Sequence, residues 1–356
     1  MKRLTVFSVI GFLIVAAVVL VMRVGPGAAP AKAQEPLVTM SAAERQAFAD
    51  LDARTVQSMT NADMGQYLAL REKAIATDGL RFAAPEEIGR MGRRAVGQTF
   101  RLNAVQFDLA EGDCVSFVNR TLALSLAKDW DSYYLLTERI RHKDGVVEYK
   151  NRNFFTLGDW LPNNAWLLDD VTAELGPPEN RPTQSFTHVV RPKLFDERPA
   201  APGSKFMRIT FKGSDYTSPN KEIRTDSYVP TQRIPEVLRD LRTGDVVLVL
   251  RPANGGHLGC DHMGLIAIGP DGQVNILHSA PRQVREEPLT GLLQRCRWIS
   301  GLKFLRLKDN ARQLAAQQVT AMTGQVTVPS PAEQDAKIDT LRANRAAAQS
   351  GGKPQQ

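Results

Sequence analysis

The chain has 356 residues, of which 43% are hydrophobic and 23% charged, and its formal net charge is +7. This length can bury a sizeable core, as one large domain or as a domain with an appendage. The positive charge favours approach to an anionic polymer or surface, such as the bacterial wall or phospholipid headgroups. Basic residues do not cluster with interleaved aromatic residues, which argues against nucleic acid as the partner.

Residues 1–33 have the pattern of an export segment. Two basic residues precede an apolar stretch at 4–22, and a small-x-small sequence ends at Ala33. This pattern predicts a secretory signal that is cleaved after Ala33. The apolar stretch is nearly long enough to span a bilayer, so an uncleaved membrane anchor is the alternative. Both interpretations place the rest of the chain in the periplasm or the cell envelope.

Residues 34–105 are predicted to form a helical N-terminal region. Ser41 and Glu44 have the spacing of a capping box, which indicates the start of a helix. Pro85 stands at the first turn of a second predicted helix, where its missing N–H group costs nothing.

Residues 106–308 mix helical and β-rich patterns and are predicted to form the main domain. The β-rich runs lie at 206–211, 245–250, 262–268, 274–277 and 304–307. The segments 176–205 and 213–231 are dense in Pro, Asn and Gly and are predicted to be long loops that line a site. Residues 309–356, rich in Ala and Gln, are predicted to form a disordered or weakly helical tail.

Three cysteines bear on the redox state of the chain. In an oxidising compartment, an odd number of cysteines leaves one thiol unpaired or directs it to a partner. One interpretation pairs Cys260 with Cys296 and leaves Cys114 free to react. The other treats all three as small buried side chains.

Cys114 is the candidate nucleophile. Gly112 allows a sharp entry to a helix, and Asp113 is a good N-cap residue directly before the cysteine. The unpaired N–H groups and the dipole at the helix start are expected to lower the pKa of the Cys114 thiol. The same amides can donate hydrogen bonds to an oxyanion. The alternative is an inert cysteine at a helix start.

His262 and His278 are the candidate partners of Cys114. Each flanks an apolar run, and the turn sequence Gly269-Pro-Asp-Gly272 separates the two runs. If residues 270–272 form a three-residue loop, both histidines project from one face at one end of a hairpin. The three residues then form a Cys–His–His triad, in which His262 is the base and His278 orients its ring.

The other three histidines are weaker candidates. His142 is predicted to lie in a solvated turn, His188 in a strand, and His257 in a flexible loop. A metal site made of His257, Cys260 and His262 is the alternative use of this region. Its spacing matches no zinc pattern, so we expect no metal and no cofactor.

Five blocks of the sequence resemble the NlpC-type cell-wall hydrolases of the papain-like class. Three of them, at 113–118, 261–266 and 276–280, are similar to the catalytic blocks of that class. The arginine-rich turn at 139–145 and the block with paired aromatic residues, Trp and Asn-Asn at 151–164 are similar to its N-acetylmuramoyl-L-alanine amidase-like branch.

The resemblance, which runs from about 95 to 308, implies a papain-like α+β fold. A helix bearing Cys114 is expected to pack on an antiparallel sheet bearing His262 and His278. The implied activity is hydrolysis of an amide bond in peptidoglycan, as an N-acetylmuramoyl-L-alanine amidase. The alternatives are a γ-D-glutamyl-diamino acid endopeptidase of the same fold and a catalytically inactive wall-binding protein.

Five residues are predicted to contact the substrate: Asp113, Ser116, Arg152, Asn163 and Asn164. For the last three, the alternative is that they only hold a loop in place. Members of the family often carry Glu at the position of Asn119 and a Tyr in the paired-aromatic block, where this chain has Phe154 and Phe155. Asp245 precedes a predicted strand and is interpreted as a structural turn residue.

Overall fold

The computed structural model describes residues 39–80, 83–102, 104–148, 151–190 and 222–350. Helices and an antiparallel sheet are both present, so the α+β prediction is confirmed. The predicted export segment 1–33 and the predicted strand 206–211 lie outside the described residues. Among the residues that the structure does describe, no helix is both long and apolar enough to cross a bilayer.

Three helices follow the N-terminal segment: α1 (Ala42–Asp52), α2 (Asn61–Asp78) and α3 (Ala84–Arg94). The predicted capping box is confirmed, because Glu44 N donates to Ser41 Oγ at 3.2 Å and Ser41 N donates to Glu44 Oε2 at 2.8 Å. Pro85 lies in the first turn of α3, as predicted.

The central helix, α4 (Cys114–Leu126), begins at the candidate nucleophile. All its residues from Phe117 onwards are buried, since α3, the following helix α5 (Trp130–Arg141) and the sheet pack around it. A short helix, α6 (Leu161–Asn163), continues a single π-turn at Thr156–Trp160. The predicted helix start at Asp113 is therefore confirmed.

The main sheet is antiparallel in every recorded pairing. Its described strands are β3 (Leu168–Asp170), β4 (Gln184–Val190), β5 (Glu222–Pro230), β6 (Val246–Pro252), β7 (Leu258–Ile268), β8 (Val274–Ser279), β9 (Val284–Pro288) and β10 (Gly301–Leu307). They follow the order β4-β5-β10-β6-β7-β8-β9, and β3 pairs with β10. A separate parallel pair joins β1 (Thr99–Phe100) to β2 (Glu111–Gly112).

Two predicted loops contain strands instead. Segment 176–205 includes β4, and segment 213–231 includes β5. Buried and partly exposed residues alternate in β4, but the sequence does not show this as a hydrophobic pattern. The two buried residues are Phe186 and His188, and one of these is polar. Pairing with β5, rather than apolar content, makes this segment a strand.

Alternate side chains of the sheet pack into two separate hydrophobic cores on its opposite faces. Leu248 and Leu265 face the first core, which includes α4, whereas Val247 and Phe304 face the second. Cys260 packs against the first core and Cys296 against the second. The predicted pairing of these cysteines is therefore wrong, because the two side chains lie on different cores, and all three thiols are free.

A short helix, α7 (Leu289–Arg295), follows β9, and the C-terminal segment folds as α8 (Ala311–Met322) and α9 (Pro331–Ser350). The sequence predicts a disordered or weakly helical tail here, and the disordered alternative is wrong for these two helices. Small side chains allow close packing of α8, and Ala315 is 1% exposed. In α9, Ile338 is buried, and Asp335 accepts hydrogen bonds from the start of α2. Residues from Val38 onwards form one compact unit, so the predicted boundary at 105 does not separate two units.

Candidate active site

Asp113 and Ser116 hold the start of α4 in place. Ser116 N donates to Asp113 Oδ1 at 2.8 Å, and Asp113 N donates to Ser116 Oγ at the same distance. The Ser116 hydroxyl also lies 2.8 Å from Asp113 Oδ1. These two residues, predicted to contact the substrate, thus form the capping box that fixes the backbone at Cys114.

The Cys114 thiol does not have the lowered pKa that its position at a helix start predicts. Burial, followed by the nearby Asp113 carboxylate, raises the pKa of the thiol to about 11. Backbone N–H groups, including that of Met263, act in the opposite direction and are outweighed. Removal of water from the thiol thus dominates over the amides of the helix start, and the thiol is protonated at neutral pH.

The hairpin between β7 and β8 has the predicted geometry. Gly269 N donates to Gln273 O at 2.9 Å, and Gly272 has a φ of +79°, which encloses a three-residue loop at 270–272. The register pairs Leu265 with Leu277, so His262 and His278 have matching parity. The odd-numbered loop is therefore confirmed, and both imidazoles project to the same side.

The two histidines form a relay with a carboxylate. His262 Nε2 lies 2.7 Å from His278 Nδ1, and His278 Nε2 lies 2.8 Å from Glu287 Oε1. A carboxylate only accepts hydrogen bonds, so His278 Nε2 carries the proton and its Nδ1 accepts one from His262 Nε2–H. This order leaves His262 Nδ1 unprotonated, which is the form that a base for the thiol requires.

Glu287 was not found by sequence reasoning. It lies on β9, two residues from Arg285, the residue that pairs with His278. Residues 285–287 are three consecutive charged residues, so this strand has no hydrophobic period that could have indicated the role of Glu287. Burial acts to raise the pKa of Glu287, but hydrogen bonds from Arg295 and His278 outweigh it, so the net shift is downward and the carboxylate stays charged.

Both histidines are neutral at physiological pH. Burial, followed by the electrostatic influence of the neighbouring His278 and of Arg285, lowers the pKa of His262 to about 3. Burial also lowers the pKa of His278, although Glu287 acts in the opposite direction. A neutral His262 can accept a proton, so the resting pair is a thiol and an imidazole rather than an ion pair.

The structure places Cys114 next to the relay without joining them. No hydrogen bond links the thiol to the His262 ring, both of which are among the described residues. The thiol instead lies against the backbone of Met263, the next residue of β7. The Ser279 hydroxyl donates to Gly112 O at 2.8 Å and so ties the strand of His278 to the entry of α4.

Asn164 holds its loop in place rather than facing a ligand. It is 1% exposed, and its Nδ2 donates to Ile140 O at 3.0 Å and to Trp160 O at 2.9 Å. The indole of Trp160 donates to Asn119 Oδ1 at 2.8 Å, so the residue that departs from the family pattern also supports this loop. These hydrogen bonds fit the loop-holding alternative, and contact of Asn164 with a substrate stays a prediction.

Arg152 and Asn163 stay partly exposed. The Arg152 guanidinium lies 4.6 Å from the centroid of the Phe154 ring. Asn163 Nδ2 donates to Asn153 Oδ1 at 2.6 Å, and its carbonyl oxygen accepts from Arg139. Contact of Arg152 and Asn163 with a substrate stays a prediction.

Two further predictions concern isolated polar residues. His142 is buried, not solvated, because its Nδ1 lies 2.8 Å from Glu138 Oε2 within the end of α5. Asp245 is 1% exposed and pairs with Arg306 at 2.7 Å, which confirms its structural interpretation.

The alternative metal set is not assembled. Cys260 directs its thiol to the carbonyl oxygen of His262 at 3.3 Å, and His257 Nδ1 lies 2.8 Å from Thr187 Oγ1. Across the described ranges, no group of three or more His, Cys, Asp or Glu side chains is arranged to hold an ion.

A cleft of about 270 Å³ opens along the first half of β7, up to the residue before His262. Its lining includes the paired aromatic residues and two histidines: Phe154, Phe155, His188, His257, Leu258, Cys260 and Asp261. The Cys260 and Cys114 side chains both pack against the first core, and Asp261 directly precedes His262 in β7. A β-bulge between β6 and β7 lies at the same position, as is common next to active sites.

Comparison with solved structures finds a protein of similar fold. A protein of Legionella pneumophila has a TM-score of 0.57 and 17% identity, over 70% of this chain and 96% of its own. An N-acetylmuramoyl-L-alanine amidase from Bacteroides uniformis has a TM-score of 0.47 and 18% identity, over 63% of this chain and 99% of its own. No curated protein is similar enough to the sequence to count as a relative.

A family model described as AmiA-like, N-acetylmuramoyl-L-alanine amidase-like, matches residues 93–299. The match contains α4, the β7–β8 hairpin and β9, so it spans Cys114, both relay histidines and Glu287. It covers more than half of the chain, and the chain therefore belongs to the N-acetylmuramoyl-L-alanine amidase-like family.

Proposed function

We propose that the protein is an exported cysteine hydrolase that cleaves an amide bond of peptidoglycan. The bond is the one between N-acetylmuramic acid and L-alanine, which makes the enzyme an N-acetylmuramoyl-L-alanine amidase. The observation that carries this proposal is the His262–His278–Glu287 relay beside Cys114 at the start of α4. Membership of an amidase-like family supports the reaction class.

The reaction begins with a neutral thiol and a neutral imidazole. His262 Nδ1 takes the thiol proton as the Cys114 sulfur bonds to the carbonyl carbon, and backbone amides at the start of α4 stabilise the oxyanion. The imidazolium then gives its proton to the leaving amine, and the C–N bond breaks to leave a thioester. Water attacks the thioester with His262 again as base, which releases a carboxylic acid and restores the thiol.

His278 and Glu287 act on the charge that forms at His262. When His262 becomes an imidazolium, its Nε2–H group donates to His278 Nδ1, and the Glu287 carboxylate polarises His278 from the other side. The Glu287 side chain is 14% exposed, so solvent screens its interaction with His278 only partly. The relay thus holds the ring and lowers the free energy of the protonated state.

The mechanism requires contact between the thiol and His262 Nδ1 in the substrate complex. Catalytic hydrogen bonds often shorten only when the substrate binds, which fits the adjacent positions of Cys114 and Met263. The proposed fold and active-site arrangement are those of the NlpC-type papain-like hydrolases.

Residues 1–33 are proposed to export the chain to the periplasm or the cell envelope, as a cleaved signal or as an anchor.

A second candidate is a wall-binding protein that keeps the fold without catalysis. The protonated thiol and the missing bond between Cys114 and His262 favour it. The γ-D-glutamyl-diamino acid endopeptidase of the same fold differs from the amidase only in the bond that enters the site.

Mass spectrometry of products from defined muropeptides tests these candidates. The amidase releases free peptide and N-acetylmuramic acid, whereas the endopeptidase cuts within the peptide. Cys114→Ala is expected to abolish product, and Cys296→Ala, which removes a thiol from the second core, is the matched control. Product formation by Cys114→Ala at the wild-type rate would overturn the nucleophile assignment. Binding of muropeptide without any product would establish the wall-binding candidate.

A further inference from the structure

His188 is a buried histidine that the proposed mechanism does not use. It is 4% exposed, and its Nδ1 is buried without a hydrogen-bond partner among the described residues. Most buried polar side-chain atoms have a partner, so an orphaned ring nitrogen calls for an explanation. Because His188 lines the cleft beside Cys260, a bound ligand group supplies one.

The cleft extends from His188 to Cys260 and Asp261, which directly precede His262 in β7. At one end, β4 approaches the start of β7, where Thr187 Oγ1 holds the His257 ring at 2.8 Å. At the other end, the Cys260 thiol donates to the carbonyl oxygen of His262 and packs, like Cys114, against the first core. This arrangement leaves room for a substrate with its scissile bond at Cys114 to extend past Cys260 towards His188.

The charged and titratable residues of the cleft favour a ligand group that is polar and uncharged. Burial lowers the pKa of His188, and the opposing influence of Asp226 does not reverse this shift, so the ring is neutral at physiological pH. At the rim, Arg251 pairs with Asp261, and each compensates the charge of the other. A neutral imidazole can donate at one nitrogen and accept at the other, which suits a backbone amide better than a carboxylate.

The walls favour a peptide over a sugar. A sugar ring needs an open aromatic face, but Arg152 already lies 4.6 Å from the centroid of the Phe154 ring. Within the described sheet, β4 stands at the end of the strand order and has a paired neighbour, β5, on one side. An edge strand offers main-chain groups to an extended peptide.

We propose that this cleft is a subsite for the stem peptide of a muropeptide, with His188 hydrogen-bonded to a backbone amide of that peptide. The inference rests on the proposed function, since it takes Cys114 as the point of cleavage. It assigns the cleft to the peptide side of the scissile bond and makes His188 a determinant of peptide affinity.

Calorimetric titration of the Cys114→Ala protein tests the subsite without turnover. The probes are N-acetylmuramoyl-tripeptide, the free tripeptide L-Ala–γ-D-Glu–diaminopimelate, and N-acetylmuramic acid alone. Adding His188→Ala is expected to weaken both peptide probes by roughly 3- to 10-fold, the range for one neutral hydrogen bond, and to leave the sugar unchanged. Gln184→Ala, at the exposed start of β4, is the matched control and is expected to change nothing.

Each outcome decides the matter. An equal loss for the sugar would assign the cleft to the sugar, and no loss for any probe would remove His188 from binding. His188→Asn, which keeps a polar side chain, is expected to restore part of the affinity, with thermal unfolding as the check on folding. In the enzyme with Cys114, His188→Ala should raise KM and leave kcat unchanged. If the wild type cleaves muropeptides and the His188→Ala protein binds them normally, the subsite proposal is wrong and the proposed function stands. If no probe binds and no product forms, the proposed function is wrong as well.

Discussion

Glu287 offers the sharpest perturbation of the candidate centre because it acts only through His278. In Glu287→Gln the side chain still accepts from His278 Nε2–H at the same position, but the negative charge is lost. A hydrogen bond to a charged group contributes about 1.5–3 kcal/mol and a neutral one about 0.5–1.5 kcal/mol, so the expected loss is about 1–1.5 kcal/mol. At about 1.4 kcal/mol per tenfold change, kcat should fall roughly tenfold.

Glu287→Ala should cost more. Truncation leaves the Nε2–H group of His278, a residue only 2% exposed, without its acceptor. An unsatisfied buried donor costs about 1–3 kcal/mol, so kcat should fall by up to about a hundredfold. The loss of the ion pairs with Arg285 and Arg295, whose side chains are 41% and 52% exposed, adds little because solvent screens them.

Steady-state kinetics on a defined muropeptide provide the assay, and KM should change little because Glu287 does not contact the cleft. Glu286 supplies the control, since it lies next in the same strand but bonds Arg93 and Asn275 instead. Equal losses for Glu286→Gln and Glu287→Gln would refute the relay. Nitrogen-15 spectra of the imidazoles test the tautomer directly, and a proton on His278 Nδ1 in the wild type would contradict the derived order.

Three further predictions concern the thiol, the fold and the link between them. Because the pKa of the Cys114 thiol is raised to about 11, its alkylation by iodoacetamide should speed up about tenfold per pH unit between pH 7 and 10, and a plateau near pH 7 would contradict this. Glu87→Ala leaves the buried guanidinium of Arg71, 2.7 Å away, without this carboxylate, and should lower the free energy of unfolding by about 3–5 kcal/mol. Urea denaturation measures this change, and a loss under about 1 kcal/mol would exclude a strong ion pair. Ser279→Ala removes the bond to Gly112 O and should lower kcat about fivefold at constant KM, whereas a higher KM alone would point to a role in binding.

Features set by neighbouring residues could be predicted from the sequence. The capping box at Ser41 and the N-cap at Asp113 depend on residues close together in the chain, and the parity of His262 and His278 depends on the length of one turn. Each of these follows from geometry within a short stretch of chain. The start of α4 and the hairpin were therefore found before any tertiary contact was known.

Features set by pairing between distant segments could not be predicted in this way. Glu287 reaches His278 because β9 pairs with β8, and its strand of charged residues has no hydrophobic period. The separation of Cys260 from Cys296 depends on which face of the sheet each side chain packs against. The pKa of Cys114 depends on burial, which sums over the whole fold and here exceeds the local influence of a helix start.

The C-terminal helix shows how far such distant contacts reach into the candidate centre. Although α9 lies beyond residues 93–299, Arg342 pairs with Asp108, which is fully buried. The Asp108 carboxylate also accepts from Ala110 N at 2.9 Å and from Glu111 N at 3.2 Å. These residues lead directly into the capped start of α4. A segment whose composition resembles a disordered tail thus fixes the backbone from which the candidate nucleophile projects.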